Sequence, residues 1–154
     1  MLTSQEIHEI QEESKLYPDA AGACLDALKI VQKYRGWVSD DSIEDIAAIL
    51  SLSPERVDGV ATFYSRIYRR KVGRHVILIC DGMSCMIMGY EGLYQTLKRR
   101  LGISWGETTP DARFTLLPIS CLGDCDHAPS MMIDNELFGN VTSEKLNSML
   151  EKYT

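Results

Sequence analysis

The stretch His75-Val-Ile-Leu-Ile-Cys-Asp-Gly-Met-Ser-Cys85 sets the architecture. It opens as a short, almost wholly apolar run, the pattern of a strand buried on both faces. It then turns through a glycine between two cysteines. Downstream the same grammar recurs: Phe114-Thr-Leu-Leu117 reads as a second strand, and Cys121-Leu-Gly-Asp-Cys125 follows within a few residues. Pro118 lacks an N–H for a ladder, so this second strand belongs at a sheet edge or a bulge. Between the runs, Tyr90, Leu93, Tyr94, Leu97 and Leu101 fall on one helical face, and Gly102 suits a left-handed helix end. Beyond them, Met131-Met-Ile133 and Leu137-Phe138 flank Asp134-Asn135, a hairpin turn. Thr142 is expected to cap a last helix bearing Leu146, Met149 and Leu150. Strand, helix, strand, hairpin and helix make a small α/β layer structure.

Residues 1 to about 66 read as helices only. Thr3-Ser-Gln-Glu6 is a capping box, in which the threonine hydroxyl and the glutamate each satisfy a free N–H. Cys24, Ala27, Leu28, Val31 and Tyr34 keep helical spacing up to Gly36, and Ile43, Ile46, Ala47 and Leu50 mark a third helix. Ser53-Pro-Glu55 starts a fourth with a cap, a proline at the first helical position and an acid near the positive helix end. Helices this short need packing partners. The expected organisation is a helical bundle over residues 1–70 and an α/β domain over residues 71–154.

Composition bounds the function. The chain has 154 residues, 45% of them hydrophobic, and a net charge of −6. That charge argues against a nucleic-acid partner, which needs a basic surface. No apolar run nears the roughly 20 residues that cross a bilayer, and the N-terminus lacks a secretory pattern. A cytoplasmic protein follows as the expectation. Five cysteines in a reducing compartment point to metal or thiol chemistry rather than structural disulfides.

Each cysteine pair starts where a strand ends, so neighbouring strands ending together would bring Cys80, Cys85, Cys121 and Cys125 to one place. Four thiolates hold a 2Fe–2S centre, two on each iron. Gly82 and Gly123 allow the loops to aim backbone N–H groups at sulfur. Four thiolates also hold a structural zinc, and both spacings fit it, so spacing alone leaves zinc open. Neither pair is the C-x-x-C of a dithiol oxidoreductase, and His8, His75 and His127 are not placed for a Rieske centre. Cys24, on an apolar helix face, reads as a small buried hydrophobe. His127 stands near the second pair, either to tune the centre or as a plain loop histidine. The basic run from Arg69 to Arg74 reads as a solvated linker face, with an acidic partner as the other reading. Lys98-Arg-Arg100 suits a helix C-terminus. Met83, Met86, Met88, Met131 and Met132 read mostly as core filler, with a few left to shield the site or face a partner. No nucleophile–base pair and no phosphate-binding glycine loop is present, so no catalytic residue is expected on the chain itself.

At these residues the sequence resembles the thioredoxin-like 2Fe–2S subunit (the E type) of bacterial NADH:quinone oxidoreductase, respiratory complex I. The resemblance runs through Ala27-Leu-Lys-Ile-Val-Gln32, Gly59-Val-Ala-Thr-Phe-Tyr64, Val72-Gly-Arg-His75, the Cys80/Cys85 pair, Gly106-Glu-Thr-Thr109, Arg113-Phe-Thr-Leu-Leu-Pro118 and Cys121-Leu-Gly-Asp-Cys125 with Ala128-Pro129. It implies an N-terminal helical bundle followed by a thioredoxin-like 2Fe–2S ferredoxin domain. It implies one 2Fe–2S cluster on Cys80, Cys85, Cys121 and Cys125, near the flavin of a partner subunit that binds FMN and oxidises NADH. It also implies other peripheral-arm subunits as partners, and a place on the cytoplasmic face of the inner membrane through the complex. Met86 departs from the polar residue that relatives often carry there. Similar subunits serve the diaphorase modules of NAD-reducing hydrogenases and NAD-dependent formate dehydrogenases. An adaptor whose cluster only holds the fold is a further alternative.

Overall fold

The computed structural model describes residues 1–153, which gather into two compact units, Met1–Lys71 and the residues from Val72 onward. The first unit carries α1 (Ser4–Ser14), α2 (Cys24–Arg35), α3 (Asp40–Leu50) and α4 (Pro54–Phe63). Each start has the local chemistry expected of it. Thr3 and Glu6 form the complete capping box, Ser39 and Ser53 accept from the third residue of their helices, and Pro54 opens α4. Gly36 ends α2 in the left-handed region at φ 79°. Ile10, Leu28, Val31, Ile46 and Val57 make the centre of its core. Tyr34 is the exception to the expected stripe: it is exposed, and its hydroxyl donates to Glu9 at 2.8 Å. The phenol's polar end draws it out of the apolar face.

Arg69 does not belong to a free basic face. Its Nε donates to Asp58 at 2.8 Å and an Nη to Asp40 at 2.6 Å, and it also donates to the carbonyl of Val38. The guanidinium thus ties the end of the unit back to α3 and α4, a task its planar fork suits.

The second unit is a four-stranded sheet with β1 (His75–Cys80), β2 (Phe114–Ile119), β3 (Met131–Ile133) and β4 (Glu136–Phe138), in the order β2-β1-β3-β4. β1 and β2 run parallel, and β3 and β4 are antiparallel to their neighbours. A parallel pair needs a long crossover, supplied here by α5 (Met83–Ile87) and α6 (Tyr90–Leu101). β1 is central, and from Val76 to Cys80 every residue is buried. β2 is an edge strand, which is how it carries Pro118 opposite Ile79. Ile77, Ile79, Leu97, Leu116, Met131 and Ile133 fill the core, and the rings of Tyr94 and Trp105 stack at 4.0 Å. α7 (Leu146–Leu150) begins after Lys145 rather than being capped by Thr142. The Thr142 hydroxyl instead bonds the Glu144 side chain, which holds that carboxyl below its usual range. No helix among the described residues is long and apolar enough to cross a membrane.

Candidate metal centre

β1 ends on Cys80, paired in register with Ile119 at the end of β2. The parallel ladder therefore delivers both cysteine segments to the same end of the sheet. Two backbone bonds fix the exits: the Asp81 N–H donates to the Ile119 carbonyl at 3.0 Å, and the Cys80 N–H to the Ser130 carbonyl at 3.1 Å. Cys85 sits not in an open loop but on α5, a helix of one turn and a half.

Cys80 and Cys85 are buried and packed with Ala128, against which Tyr90 and Leu122 also lie. Each thiol lies within hydrogen-bonding reach of the other. Burial pushes the Cys80 thiol up, only partly offset by the N–H groups of Gly82 and Leu122. Burial also opposes ionisation of Cys85, but the Ser130 hydroxyl and N–H and the Cys80 thiol outweigh it and bring Cys85 below the ordinary thiol range. The Cys85 Sγ and Ser130 Oγ lie 3.5 Å apart. Cys121 and Cys125 are exposed, and the Gly123 N–H donates to the Cys121 sulfur at 3.3 Å.

The backbone is shaped around sulfur. A Cβ at Gly82 would stand 2.6 Å from the Ser120 carbonyl oxygen and 3.4 Å from the Cys80 sulfur, so only glycine fits between the two segments. Gly123 takes φ 77°, the left-handed region. Gly139 fits as tightly: a Cβ there would meet His127 Cβ at 2.4 Å and Asp124 Oδ2 at 2.6 Å. Neither Ser130 nor Gly139 stands out in the sequence. Their parts depend on β3 and β4 lying beside the cysteine loops, which no local pattern announces.

Cys80 and Cys85 are brought together, and the backbone beside Cys121 reaches Cys80 through Leu122. Among the described residues, however, no three His, Cys, Asp or Glu side chains gather closely enough to hold a metal ion. The donor set fits an iron–sulfur core all the same: four thiols from one sheet end, with N–H groups of Gly82, Leu122 and Gly123 turned to sulfur. Cys24 lies in the first unit, buried at the start of α2, and burial raises its thiol. His127 is exposed, and its Nδ1 meets Asp124 Oδ1 at 2.7 Å, which raises the imidazole above its usual value. The expectation that the methionines near the cysteines fill the core is overturned for three of them. Met83, Met86 and Met88 are 73%, 54% and 60% exposed, with Ile87 beside them, and of the five only Met131 is fully buried. A helix as short as α5 that already buries Cys85 has no second face to hide.

Comparison with known proteins follows the same lines. A family described as "Thioredoxin-like [2Fe-2S] ferredoxin" matches residues 10–154. The E-type subunit of the NADH-quinone oxidoreductase of Buchnera aphidicola (subsp. Acyrthosiphon pisum) is 49% identical over 152 residues, covering 99% of this chain and 94% of that protein. Its counterpart in Escherichia coli is also 49% identical, with 99% and 92% covered. Among solved structures, an NAD+-reducing [NiFe]-hydrogenase in the air-oxidized state superposes with a TM-score of 0.71 at 23% identity, over 84% of this chain and 22% of the hydrogenase chain. That likeness speaks to the fold.

Proposed function

Since this chain belongs to the thioredoxin-like [2Fe-2S] ferredoxin family, and within it to the E-type subunits of NADH-quinone oxidoreductases, we propose that it passes single electrons beside a flavin on a partner subunit that oxidises NADH. The observation that carries this reading is the register of β1 and β2, which brings two cysteine segments to one sheet end. Cys80, Cys85, Cys121 and Cys125 would hold one 2Fe–2S cluster there. Bound in this place, the cluster supplies storage for one electron at a time.

The chain's own residues prepare the site. Buried Cys80 and Cys85 keep water from one side. The N–H groups of Gly82, Leu122 and Gly123 offset negative charge on sulfur, and such bonds tune a reduction potential. Exposed Cys121 and Cys125 leave the other side open to a partner. Hydride leaves NADH as two electrons, so a flavin must stand between, and it belongs to the partner. The chain docks on that flavin- and NADH-binding subunit and on other peripheral-arm subunits. Through the complex it sits on the cytoplasmic face of the inner membrane. The chain divides into two domains, residues 1–70 and 71–154, a reading supported by the two compact units whose boundary in the chain falls after Lys71.

Anaerobic reconstitution tests the reading. The full chain should take up about two irons and two sulfides and bleach in the visible on strong reduction. Each of Cys80→Ser, Cys85→Ser, Cys121→Ser and Cys125→Ser should impair this, and Cys24→Ser should leave it intact. One zinc and no labile sulfide in chain supplied with iron would overturn it. Mixed with the flavin subunit, the loaded chain should form a stable complex. NADH oxidation by rigorously flavin-free chain would refute the division of labour.

A further inference from the structure

Arg99 and Arg100, in the last turn of α6, line a shallow open cavity of about 390 Å³ together with Thr96 and Ser143. Thr96, Arg99 and Arg100 lie at i, i+3 and i+4, so helix geometry alone puts them on one face. Ser143 comes from the segment before α7, and its Oγ lies 3.2 Å from the Thr96 Oγ1. Every lining side chain can donate hydrogen bonds, and none is a carboxylate.

The two guanidiniums are uncompensated. No carboxylate pairs with either among the described residues, although the chain carries 22 acidic residues against 16 basic ones. The Arg99 Nε donates to the Gln95 carbonyl at 3.4 Å, which anchors the planar group and leaves both terminal nitrogens for a ligand. A helix dipole accounts for cations in this turn, because the C-terminal end is partly negative. It does not account for two hydroxyls from separate elements turned into the same space.

We propose that this face of α6 is a binding site for a tetrahedral oxyanion of the phosphate class, distinct from the cysteine site. Arginine forks match the spacing of phosphate oxygens and can hold two at once. The Ser143 hydroxyl offers one donor to the remaining oxygens by turning away from Thr96, whose own hydroxyl donates to the Gly92 carbonyl at 2.8 Å and would have to leave it to join. The ligand is either free phosphate or a phosphate monoester carried on a larger molecule.

The test titrates inorganic phosphate, and separately AMP, into the cluster-loaded full chain at constant ionic strength held with chloride. Backbone amide shifts at Thr96 and Ser143 are the readout. A saturable shift with phosphate and none on further chloride is expected. Tighter binding of AMP would identify the monoester as the ligand, and equal binding would identify free phosphate. Arg99→Gln with Arg100→Gln should weaken binding by at least about tenfold. Arg99→Lys with Arg100→Lys keeps the charge but loses the forks, and should also weaken it, by several-fold. Shifts that stay unsaturated, that chloride reproduces, or that the lysine variant matches would overturn the proposal, reducing the patch to diffuse positive charge.

Discussion

Glu6 shows how one residue fixes the first unit. Its carboxylate is only 1% exposed, and it accepts from the Thr3 N–H at 2.7 Å and from Arg35 at 2.6 and 2.9 Å. The Arg35 bond is the largest influence and, with the Thr3 bonds, outweighs burial, which brings the carboxyl from 4.5 to about 2. A depressed folded value stabilises above the unfolded value and loses that stability as pH falls through the folded one. The window is thus pH 4.5 down to about 2, and a shift of this size is worth on the order of 3 kcal/mol. Urea unfolding of metal-free chain should show Glu6→Gln less stable than wild type at neutral pH, with the gap closing towards pH 2. A gap independent of pH would refute the assignment. Gly82 makes the matching case at the cysteine site. Its φ of −64° is open to any residue, so only the 2.6 Å approach to the Ser120 carbonyl forbids a side chain. Gly82→Ala should therefore lower iron uptake in reconstitution. Gly92→Ala, with nothing within 4 Å, should not, and should add a few tenths of a kcal/mol or more to helix stability.

At the scale of elements, legibility followed length and periodicity. α2, α3 and α6 each run through several turns with a repeating apolar face, and Gly36 and Gly102 end α2 and α6 as read. β1 was readable because five consecutive positions are buried, and β2 because a proline in an apolar run implies an edge. α5 was not readable: five residues hold too little pattern to separate a helix from a loop. The start of α7 moved for a related reason, since a threonine near a helix is a cap only if the chain turns at once into helical geometry. The periodic face of α6 makes its own prediction. Leu97 is fully buried at the centre of the second core. Leu97→Ala should cost about 2–5 kcal/mol through lost burial and a cavity. Thermal unfolding of the loaded chain should register that loss while the iron content per folded chain stays unchanged. An unaltered midpoint would mean that α6 contributes little to this core.

For the whole molecule, the cysteine site belongs entirely to one unit. Cys80, Cys85, Cys121 and Cys125 all lie between Val72 and the C-terminus, as do Gly82, Gly123 and Ser130. The spacing of the cysteines made this much visible in the sequence. The supports from β3 and β4 stayed hidden, because Ser130 reaches Cys85 only once strands far apart in the chain have paired. The second unit also has its own closed means of support. Among the described residues, thirteen buried apolar side chains form its main cluster, and Arg113 donates to the carbonyls of Leu150 and Tyr153 at 3.0 and 2.6 Å, tying the last helix to β2. A domain of this size lies above the roughly 40 residues below which disulfides, metals or assembly become necessary. If the boundary near residues 70 and 71 separates two domains, the fragment 72–154 should fold and take up the same iron and sulfide per chain as the full protein. Its visible spectrum should match, since every group proposed to touch sulfur is retained. The fragment 1–71 should be helical and take up no iron–sulfur centre, because its only cysteine, Cys24, is buried in the bundle. A fragment 72–154 that stays unfolded in conditions where the full chain loads normally would show that the bundle is part of the same cooperative unit, and the two-domain reading would fall while the ligand assignment stood.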